Sequence, residues 1–329
     1  MKRLESIGLD EIKGPVSDEL QGFGRHFKQA MRSNILLVDT IARYIVKQKG
    51  KRIRPILVFL AAKACGQITE STYRGATLVE ILHTATLVHD DVVDDADTRR
   101  GLASINAVWK NKVAVLMGDY LLSAGLMLSL KHEDHYFLNA ISDAVRRMSE
   151  GEILQIQKSR DLDIDEATYL KIISDKTASL LSTCTVIGAA SATADASLRQ
   201  IMRNFGENVG MAFQIRDDLF DYTSRKNIIG KPVGGDMKEK KITLPLIHSF
   251  RQAPKKESRR ILKMIRNGAK GKDVDTVVAF AQQYGGIDYA VSKAEHYSEE
   301  ARQCLRSLPG SDAKESLLMF VDFVMERTK

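Results

Sequence analysis

Two acidic segments with the same spacing contain the residues best suited to bind metal ions. DDVVD begins at Asp90 and DDLFD begins at Asp217, and apolar residues flank both segments. Three carboxylates within five residues repel one another, and near the end of a helix they also oppose the helix dipole. A bound cation would offset that cost, so the two segments predict metal sites.

Helical spacing arranges each acidic segment as a polar stripe on one helix face. The first stripe has the spacing i, i+4, i+7, i+11 and consists of His83, Leu87, Asp90 and Asp94, with Asp91 beside it. The second has the spacing i, i+3, i+4, i+7 and consists of Gln214, Asp217, Asp218 and Asp221. Mg²⁺ prefers carboxylate and phosphate oxygens, so two facing stripes could clamp a diphosphate through several ions. A solvated helix end is the alternative for either segment alone.

Basic residues near the first acidic segment could bind the phosphates. The motif GKRIRP concentrates Lys51, Arg52 and Arg54 just before a predicted helix, whose N-terminus could add backbone donors. Arg99 and Arg100 directly follow the acidic segment and could form bidentate contacts with a diphosphate. A solvated basic turn is the alternative interpretation of GKRIRP.

Further cations lie in the second half of the chain. Lys176 and Thr177 fall within the predicted apolar helix 169–185, where a lysine is costly unless it is paired. The glycine-rich segment IGKPVGGD supplies Lys231 and could close over a site, and KKITLP adds Lys241. Each of these cations is weak support by itself, but together with two acidic stripes they indicate a phosphate site.

Several other functions are excluded by missing motifs. The sequence has no EF-hand loop, no HExxH motif and no P-loop, so calcium loops, zinc hydrolysis and the nucleotide cradle of kinases are not expected. Cys65, Cys184 and Cys304 are far apart, which indicates separate buried thiols in a reducing cytoplasm.

The elements that must position these residues are helices. Apolar residues recur at helical spacing and strict alternation is scarce, which predicts an all-α fold. With 44% hydrophobic residues and no repeats, we expect a single helical domain over residues 1–329, in which residues 1–15 are flexible. Glycine, proline and polar clusters predict breaks between helices at 49–54, 66–70, 99–103, 132–135, 159–165, 224–236 and 252–256.

The charge balance suits an anionic partner. There are 49 basic and 42 acidic residues, which gives a net charge of +7. The basic residues look dispersed and lack the spacing of nucleic-acid-binding motifs, so no nucleic-acid binding is expected. No signal core and no run of about 20 apolar residues is present, so we expect a soluble, cytoplasmic protein. No amphipathic basic helix is expected to mark a membrane contact.

Taken in order, the motifs resemble the trans-isoprenyl diphosphate synthase family over residues 16–323. They are GKRIRP, HTATLVHDDVVDDADTRRG, GDYLL, DKTASL, FQIRDDLFD, GKPVGGD and KITLP. So many motifs in one order make the resemblance specific. It implies an isoprenoid-synthase-type antiparallel helical bundle around a deep central cavity, usually as a homodimer.

The resemblance also implies a role for each candidate residue. Several Mg²⁺ ions would bind the six acids, with Asp90, Asp94 and Asp217 as ligands and Asp91, Asp218 and Asp221 in support. Isopentenyl diphosphate would bind Lys51, Arg54, His83 and Arg100. The allylic diphosphate would bind Arg99, Lys176, Thr177, Gln214, Lys231 and Lys241. For His83, a role as a hydrogen-bonded core residue is the alternative.

The implied reaction is a Mg²⁺-dependent 1'-4 head-to-tail condensation of isopentenyl diphosphate onto farnesyl or geranyl diphosphate. Diphosphate departs, the isopentenyl double bond attacks the allylic carbocation, and the released diphosphate accepts the proton. The acids together with Lys176 and Lys231 would be the catalytic residues, because they stabilise the leaving group in a dry cavity.

The residues around the first acidic motif bear on product length. The motif lacks the two-residue insertion typical of bacterial farnesyl synthases, and the small Ala85 and Thr86 lie about one turn before Asp90. Small residues there would leave the product tunnel open, so an octaprenyl-like chain for quinone side chains is expected. A geranylgeranyl or farnesyl synthase is the alternative. A long apolar product also predicts peripheral membrane contact during release.

Two other functions are weaker alternatives. A class I terpene cyclase also carries DDxxD, but its second motif is of an N/D, S/T, E type instead of DDLFD. A non-catalytic subunit of a synthase generally loses acids or cations, whereas both motifs and their cations are intact here.

Overall fold

Glycine, proline and polar clusters divide the chain into helices, and the computed structural model describes residues 8–48, 50–223 and 241–326. In the first half the helices are α1 (Leu9–Ile12), α2 (Ser17–Ala30), α3 (Leu36–Lys47), α4 (Ile53–Cys65), α5 (Glu70–Val93), α6 (Ile105–Lys131) and α7 (His135–Asp161). In the second half they are α8 (Glu166–Ile173), α9 (Ser179–Ala192), α10 (Ala196–Thr223), α11 (Leu244–Gln252), α12 (Lys255–Arg266), α13 (Lys272–Gln283), α14 (Gly286–Leu305) and α15 (Asp312–Glu326). A 3-10 turn (Gly14–Val16), a π-helical turn (Ser174–Ala178) and a ribbon of β1 (Thr98–Arg99) and β2 (Leu102–Ala103) complete the described elements.

The predicted all-α class is confirmed, and the predicted breaks that fall in described residues separate successive elements. The break at 99–103 is a tight antiparallel ribbon in which Thr98 pairs with Ala103. The break at 224–236 lies outside the described residues. The segment 169–185 differs from the prediction of one regular helix, because a π-helical turn separates α8 from α9.

The interior is built around α4 and α9, which are apolar on nearly every side. In α9, every residue from Ser179 to Ala189 is buried, as expected for a helix without a polar face. A second apolar cluster forms between α8, the end of α10 and α11–α14. Helices α10 and α14 contribute to both clusters, so continuous helices join the two parts of the core.

The N-terminal segment is packed where the structure describes it. Residues 1–15 were expected to be flexible, but α1 and the 3-10 turn lie against α15. The side chains of Ile12 and Val16 are fully buried there. Burial of these two apolar side chains fixes the segment from Gly8 onward.

The expectation that no amphipathic basic helix is present is wrong. Helix α12 buries Ile261 and Ile265 and exposes lysine and arginine on its remaining surface. Only two buried residues define its apolar face. The spacing of apolar residues is therefore difficult to recognise in the sequence among the surrounding charged residues.

Helix α6 combines a buried face with an exposed apolar face. Among the described helices, it alone is long and apolar enough to cross a membrane, by length and composition only. Its Ala114, Met117 and Leu121 are nevertheless buried in the core. Leu116 and Met127 on the same helix are about 60% exposed, at 59% and 62%. The exposed side chains mark a surface without a partner in the described part of this chain.

Candidate active site

The first acidic motif occupies the last turn of α5, where one acid is buried and paired. Asp91 is 2% exposed and accepts hydrogen bonds from two guanidinium nitrogens of Arg99, of which Nε lies at 2.8 Å. The amide of Asn106 donates to the Asp91 backbone oxygen at 3.2 Å. Asp94 is exposed at the end of the helix. Asp91 therefore fixes the motif, while its neighbours remain accessible.

The charge of Asp90 interacts with two cations, Lys176 and Arg99. Desolvation raises the pKa of Asp90, and the Lys176 ammonium and the Arg99 guanidinium act in the opposite direction. Glu152 and Asp94 add further negative charge and favour the protonated form. A carboxylate among other acids and within reach of cations is a suitable ligand for a hard metal ion that also contacts phosphate.

The second acidic motif lies near the end of α10, and its middle acid is also buried. Asp218 accepts hydrogen bonds from the Tyr169 hydroxyl and from the Gln214 side-chain amide, both at 2.7 Å. Burial raises the pKa of Asp218 to about 7, and the neighbouring Asp217 and Asp221 add to the shift. Asp217 is exposed. Tyr169 was not predicted from the sequence.

One pocket contains most of the residues expected to bind the allylic diphosphate. Its lining includes Lys176, Thr177, Gln214 and Lys241, together with Asp218 of the second motif. Within it, the Thr177 hydroxyl donates to the Gln214 oxygen at 2.7 Å, which orients the Gln214 amide toward Asp218. Lys231, the remaining predicted lysine, lies outside the described residues.

The π-helical turn presents Lys176 and Thr177. The sequence predicts that a lysine here needs a partner, and Lys176 forms an ion pair with Glu152 and donates to Gln155 at 3.3 Å. The two partners lie on α7 and were not predicted. A π-helical turn inside a longer helix is frequently found at a functional site.

Arg147 on α7 ties this turn to α10. Its guanidinium donates to Asp175 at 2.9 Å, to the Ser174 hydroxyl at 2.8 Å and to Glu207 at 2.7 Å. One turn further along α7, a Cβ on Gly151 would lie 3.2 Å from the Lys176 backbone nitrogen. Helix α7 therefore touches the turn closely at both points.

A second pocket brings part of GKRIRP and the first motif together. Its lining includes Gly50, Arg52, Asp91, Arg99 and Arg100. Arg100 has a positive φ of 52° and extends over Gly50, where a Cβ would lie 2.5 Å from a guanidinium nitrogen. The contact explains how Arg100, although distant in sequence, meets the predicted basic motif. Arg99 lines this pocket and is paired with Asp91; its expected contact with the allylic diphosphate stays a prediction.

Behind this pocket lies a buried group of charged and polar side chains. Arg54 carries a buried Nε without a hydrogen-bond partner among the described residues, and burial lowers its pKa. Burial raises the pKa of Glu80, which the Arg54 charge opposes. Burial lowers the pKa of His83 well below its usual 6.5, and the charges of Arg54 and Arg100 lower it further. An anion in the pocket would relieve this excess of positive charge. Lys51 is exposed beside a neighbouring surface pocket.

The two residues expected to set chain length lie on α5 before Asp90. Ala85 is 2% exposed, and Thr86 is half-buried, with its hydroxyl donating to the His83 backbone oxygen at 2.9 Å. Their contribution to product length stays a prediction.

The donor set fits Mg²⁺ bound together with a diphosphate. No group of three or more Asp, Glu, His or Cys side chains converges as a complete metal cage within residues 8–48, 50–223 and 241–326. Mg²⁺ characteristically takes one or two carboxylates, with substrate phosphates and water completing its coordination. Accessible acids on two helices, with cations beside each, suit that arrangement.

Comparison with known proteins gives matches over nearly the whole chain. Residues 36–281 match the family model "Polyprenyl synthetase". The chain is 33% identical to octaprenyl diphosphate synthase of Haemophilus influenzae, with 99% of each protein covered. It is 36% identical to an all-trans-nonaprenyl-diphosphate synthase (geranyl-diphosphate specific) of Rhodobacter capsulatus, covering 96% of this chain and 97% of that protein. A crystal structure of polyprenyl synthase from Caulobacter crescentus, complexed with calcium and isoprenyl diphosphate, superposes with a TM-score of 0.89 at 31% identity, covering 99% of both chains.

Proposed function

Because this chain belongs to the polyprenyl synthetase family, we propose that it is a trans-polyprenyl diphosphate synthase. It joins isopentenyl diphosphate units head to tail onto an allylic diphosphate and is therefore a prenyltransferase. The observation that carries this proposal is the position of Asp90. Its charge interacts with Lys176, which lines one pocket, and with Arg99, which lines the other.

Each pocket is assigned one diphosphate. In the pocket beside the π-helical turn, Lys176, Thr177 and Lys241 bind the diphosphate of the allylic substrate, with Gln214 held in place by Thr177. In the pocket beside GKRIRP, Arg100 binds isopentenyl diphosphate. Arg54 and His83 support it from the buried group behind the pocket, and Lys51 from the neighbouring surface pocket. Asp91 lines this pocket and Asp218 lines the other, which supports assigning one acidic motif to each substrate.

The chain contributes electrostatics to the reaction. Asp90, Asp94 and Asp217 would hold Mg²⁺ ions, which neutralise the charge that develops on the departing diphosphate. Lys176 adds a cationic group beside the departing diphosphate, and Lys231, which lies outside the described residues, is proposed to do the same. Asp91 and Asp218 keep the two motifs in position. The apolar core behind the motifs excludes water from the allylic carbocation. The released diphosphate accepts the proton, so no side-chain base is needed.

The direct test is product analysis of the purified full-length chain. With farnesyl diphosphate, isopentenyl diphosphate and Mg²⁺, mass analysis should show chains lengthened by whole isoprene units. Asp90→Asn and Asp217→Asn should lower turnover on the order of 100-fold or more, whereas Asp273→Asn, an exposed acid at the start of α13, should not. Consumption of farnesyl diphosphate without isopentenyl diphosphate would indicate a cyclase instead, and an inert wild-type chain would indicate a non-catalytic subunit.

We further propose a medium or long product, octaprenyl-like and used for a quinone side chain. The small Ala85 on α5 would leave the tunnel open, so Ala85→Phe should shorten the products. Because Ala85 is buried, Ala85→Leu provides a smaller change, and its folding is checked by circular dichroism. An unchanged product length in two folded variants would contradict the assignment, and a geranylgeranyl or farnesyl product of the wild type would support the shorter-chain alternative.

A homodimer is proposed on the exposed apolar face of α6. Leu116 and Met127 on α6 and Leu36 at the start of α3 are all more than half exposed, and such a surface is characteristic of a protein interface. Leu116→Asp should shift the mass measured by light scattering from dimer to monomer. Ile153→Asp, an equally exposed apolar residue on α7, is the matched control. A monomeric wild type would contradict this proposal.

Location and release complete the proposal. We place the protein in the cytoplasm, with peripheral contact to a membrane during product release, because a long polyprenyl chain is too apolar to leave readily through water. Cell fractionation with an antibody against the full chain tests this location.

A further inference from the structure

One segment of the chain carries its entire net charge. Residues 255–272, which comprise α12 and the turn after it, contain eight lysines and arginines and one acid, Glu257. The whole chain has 49 basic and 42 acidic residues, so this segment alone has a net charge of +7 and the rest of the chain is neutral. A charge concentrated in 18 residues produces a local positive potential that a dispersed charge would not.

The structure exposes all eight cations of this segment. They are Lys255, Lys256, Arg259, Arg260, Lys263, Arg266, Lys270 and Lys272. None forms an ion pair with any residue in the described ranges 8–48, 50–223 and 241–326. The apolar side of the helix is already used, because Ile261 and Ile265 are fully buried in the core. Helix α12 therefore offers a charged surface that is fixed on the protein.

We propose that α12 and the turn after it form a docking surface for the anionic headgroups of a membrane. We call residues 255–272 the basic patch. Clusters of four to eight lysines and arginines on an amphipathic helix bind anionic lipid surfaces through electrostatics. The proposal rests on the proposed function, because a synthase that makes a long polyprenyl chain must release it into lipid.

One short helix connects the basic patch to the pocket assigned to the allylic substrate. Thr243 lines that pocket and is the N-cap of α11. Helix α11 has nine residues and is therefore about 14 Å long, and α12 follows it after a two-residue connection. Arg251 at the end of α11 is paired with Glu166 at the start of α8. Docking through the basic patch would keep the catalytic pocket near the lipid surface.

The chemistry of the basic patch favours lipid over nucleic acid. Residues 255–272 contain no Phe, Tyr, Trp or His, whereas single-stranded nucleic acids are bound by aromatic stacking together with cations. The buried Ile261 and Ile265 also leave no free apolar face for insertion between lipid chains. The contact is therefore superficial, reversible and sensitive to salt.

Vesicle sedimentation of the full-length protein tests the docking surface without any substrate. The vesicles are phosphatidylcholine alone or phosphatidylcholine with about 30% phosphatidylglycerol, a composition that gives a strong negative surface potential. The patch variant combines Arg259→Gln, Arg260→Gln and Lys263→Gln. The control variant combines Arg25→Gln, Lys28→Gln and Lys131→Gln, three exposed cations outside the patch, and has the same net charge.

We expect the wild type to bind only the anionic vesicles and to dissociate at about 0.5 M salt. The patch variant should lose affinity on the order of 100-fold, because each cation near an anionic surface contributes about five-fold. The control variant should bind like the wild type. Equal binding by the two variants, or no binding by the wild type at about 0.15 M salt, would overturn the proposal.

Two further measurements separate this proposal from its alternatives. Wild-type protein that binds a DNA duplex more tightly than anionic vesicles at the same salt concentration would assign the basic patch to nucleic acid and overturn the proposal. Condensation activity is assayed with detergent in place of vesicles, and there the patch variant should equal the wild type. If neither the wild type nor the variants condense the substrates but the vesicle binding is as expected, the proposed function is wrong and the docking surface is still supported.

Discussion

Arg147 offers the sharpest test of how the fold positions the candidate site. It lies on α7, away from the pocket residues, and its guanidinium donates five hydrogen bonds to Ser174, Asp175 and Glu207. Ser174 and Asp175 are the first two residues of the π-helical turn that carries Lys176. Replacing Arg147 with methionine keeps most of the side-chain length and removes every one of these bonds.

The size of the effect follows from the burial of the partners. The Asp175 side chain is 4% exposed, and that of Glu207 is 28% exposed. Breaking one side of a buried ion pair costs about 3–5 kcal/mol. Asp175 keeps its pair with Lys171, and Glu207 keeps a hydrogen bond from Ser174, so we expect the lower end, about 3 kcal/mol. For a chain of this length, that loss lowers the melting temperature by roughly 4 °C.

The neighbouring Arg146 provides the matched control. It is exposed on α7, and among the described residues it pairs only with Asp143 and Glu150 of the same helix. Surface pairs of this kind contribute about 0–1 kcal/mol, so Arg146→Met should change stability little. Calorimetry of both variants gives the stabilities, and steady-state kinetics with each substrate varied in turn gives the effects on binding.

Arg147→Met should raise the KM for the allylic diphosphate on the order of 10-fold and leave the KM for isopentenyl diphosphate near its wild-type value, because the turn presents Lys176 to one pocket only. Arg147→Lys keeps the positive charge but lacks the planar guanidinium group. It should therefore retain part of the stability that Arg147→Met loses, and should correct the rise in KM to a smaller extent. The reasoning is refuted if both methionine variants are equally stable. It is also refuted if Arg147→Met loses stability but changes the two KM values equally.

Three further predictions follow from single residues. Burial lowers the pKa of His83 well below 6.5 in the folded protein, whereas the unfolded chain takes up a proton below about pH 6.5, so the protein loses stability as the pH is lowered. Between about pH 7.5 and 5.5 the wild type should lose more stability than His83→Gln in urea unfolding, with an upper limit of about 1.4 kcal/mol, and equal losses would contradict the assignment. Lys110 inside α6 has φ 72° and ψ 160°, a backbone conformation that is accessible mainly to glycine. Lys110→Gly should therefore stabilise the protein by about 1 kcal/mol in thermal unfolding, and Lys110→Ala should not. Tyr169→Phe removes the hydroxyl that donates to Asp218 and should raise the Mg²⁺ concentration for half-maximal activity several-fold. The control is Tyr120→Phe, which should leave that concentration unchanged, because the Tyr120 hydroxyl donates to the Arg32 backbone oxygen at the surface.

The features that could be read from the sequence have local signals. The acidic motifs stand out because three carboxylates in five residues are costly without a cation, and their metal binding stays a prediction. The helix breaks at 66–70 and 132–135 were recognised from glycine and polar clusters, and the structure has connections there. The placement of Lys176 beside an acid was also anticipated, since a lysine in an apolar helix requires a partner.

The parts that were missed depend on partners far apart in sequence. Arg147 meets Asp175 28 residues later and Glu207 60 residues later, and no local pattern connects them. The π-helical turn was missed for the same reason. It is stabilised by side chains of α7 and α10, so its own sequence contains no signal for it. The basic patch was missed although the sequence contains its signal, because residues 255–272 hold eight lysines and arginines and one acid. The description of the basic residues as dispersed is therefore wrong, and the structure adds that all eight side chains are exposed.

The two DDxxD motifs have the same pattern but different supports. In the first, the buried Asp91 is bound by the Arg99 guanidinium, so its negative charge is compensated within the protein. In the second, the buried Asp218 is bound by the neutral donors Tyr169 and Gln214, so within the described part of the chain hydrogen bonds stabilise its charge, and burial raises its pKa to about 7. A buried carboxylate with neutral donors gains more from an added cation than one already paired with arginine. The charged form of the second motif therefore depends more on bound metal than that of the first. The shared sequence pattern DDxxD does not show this difference.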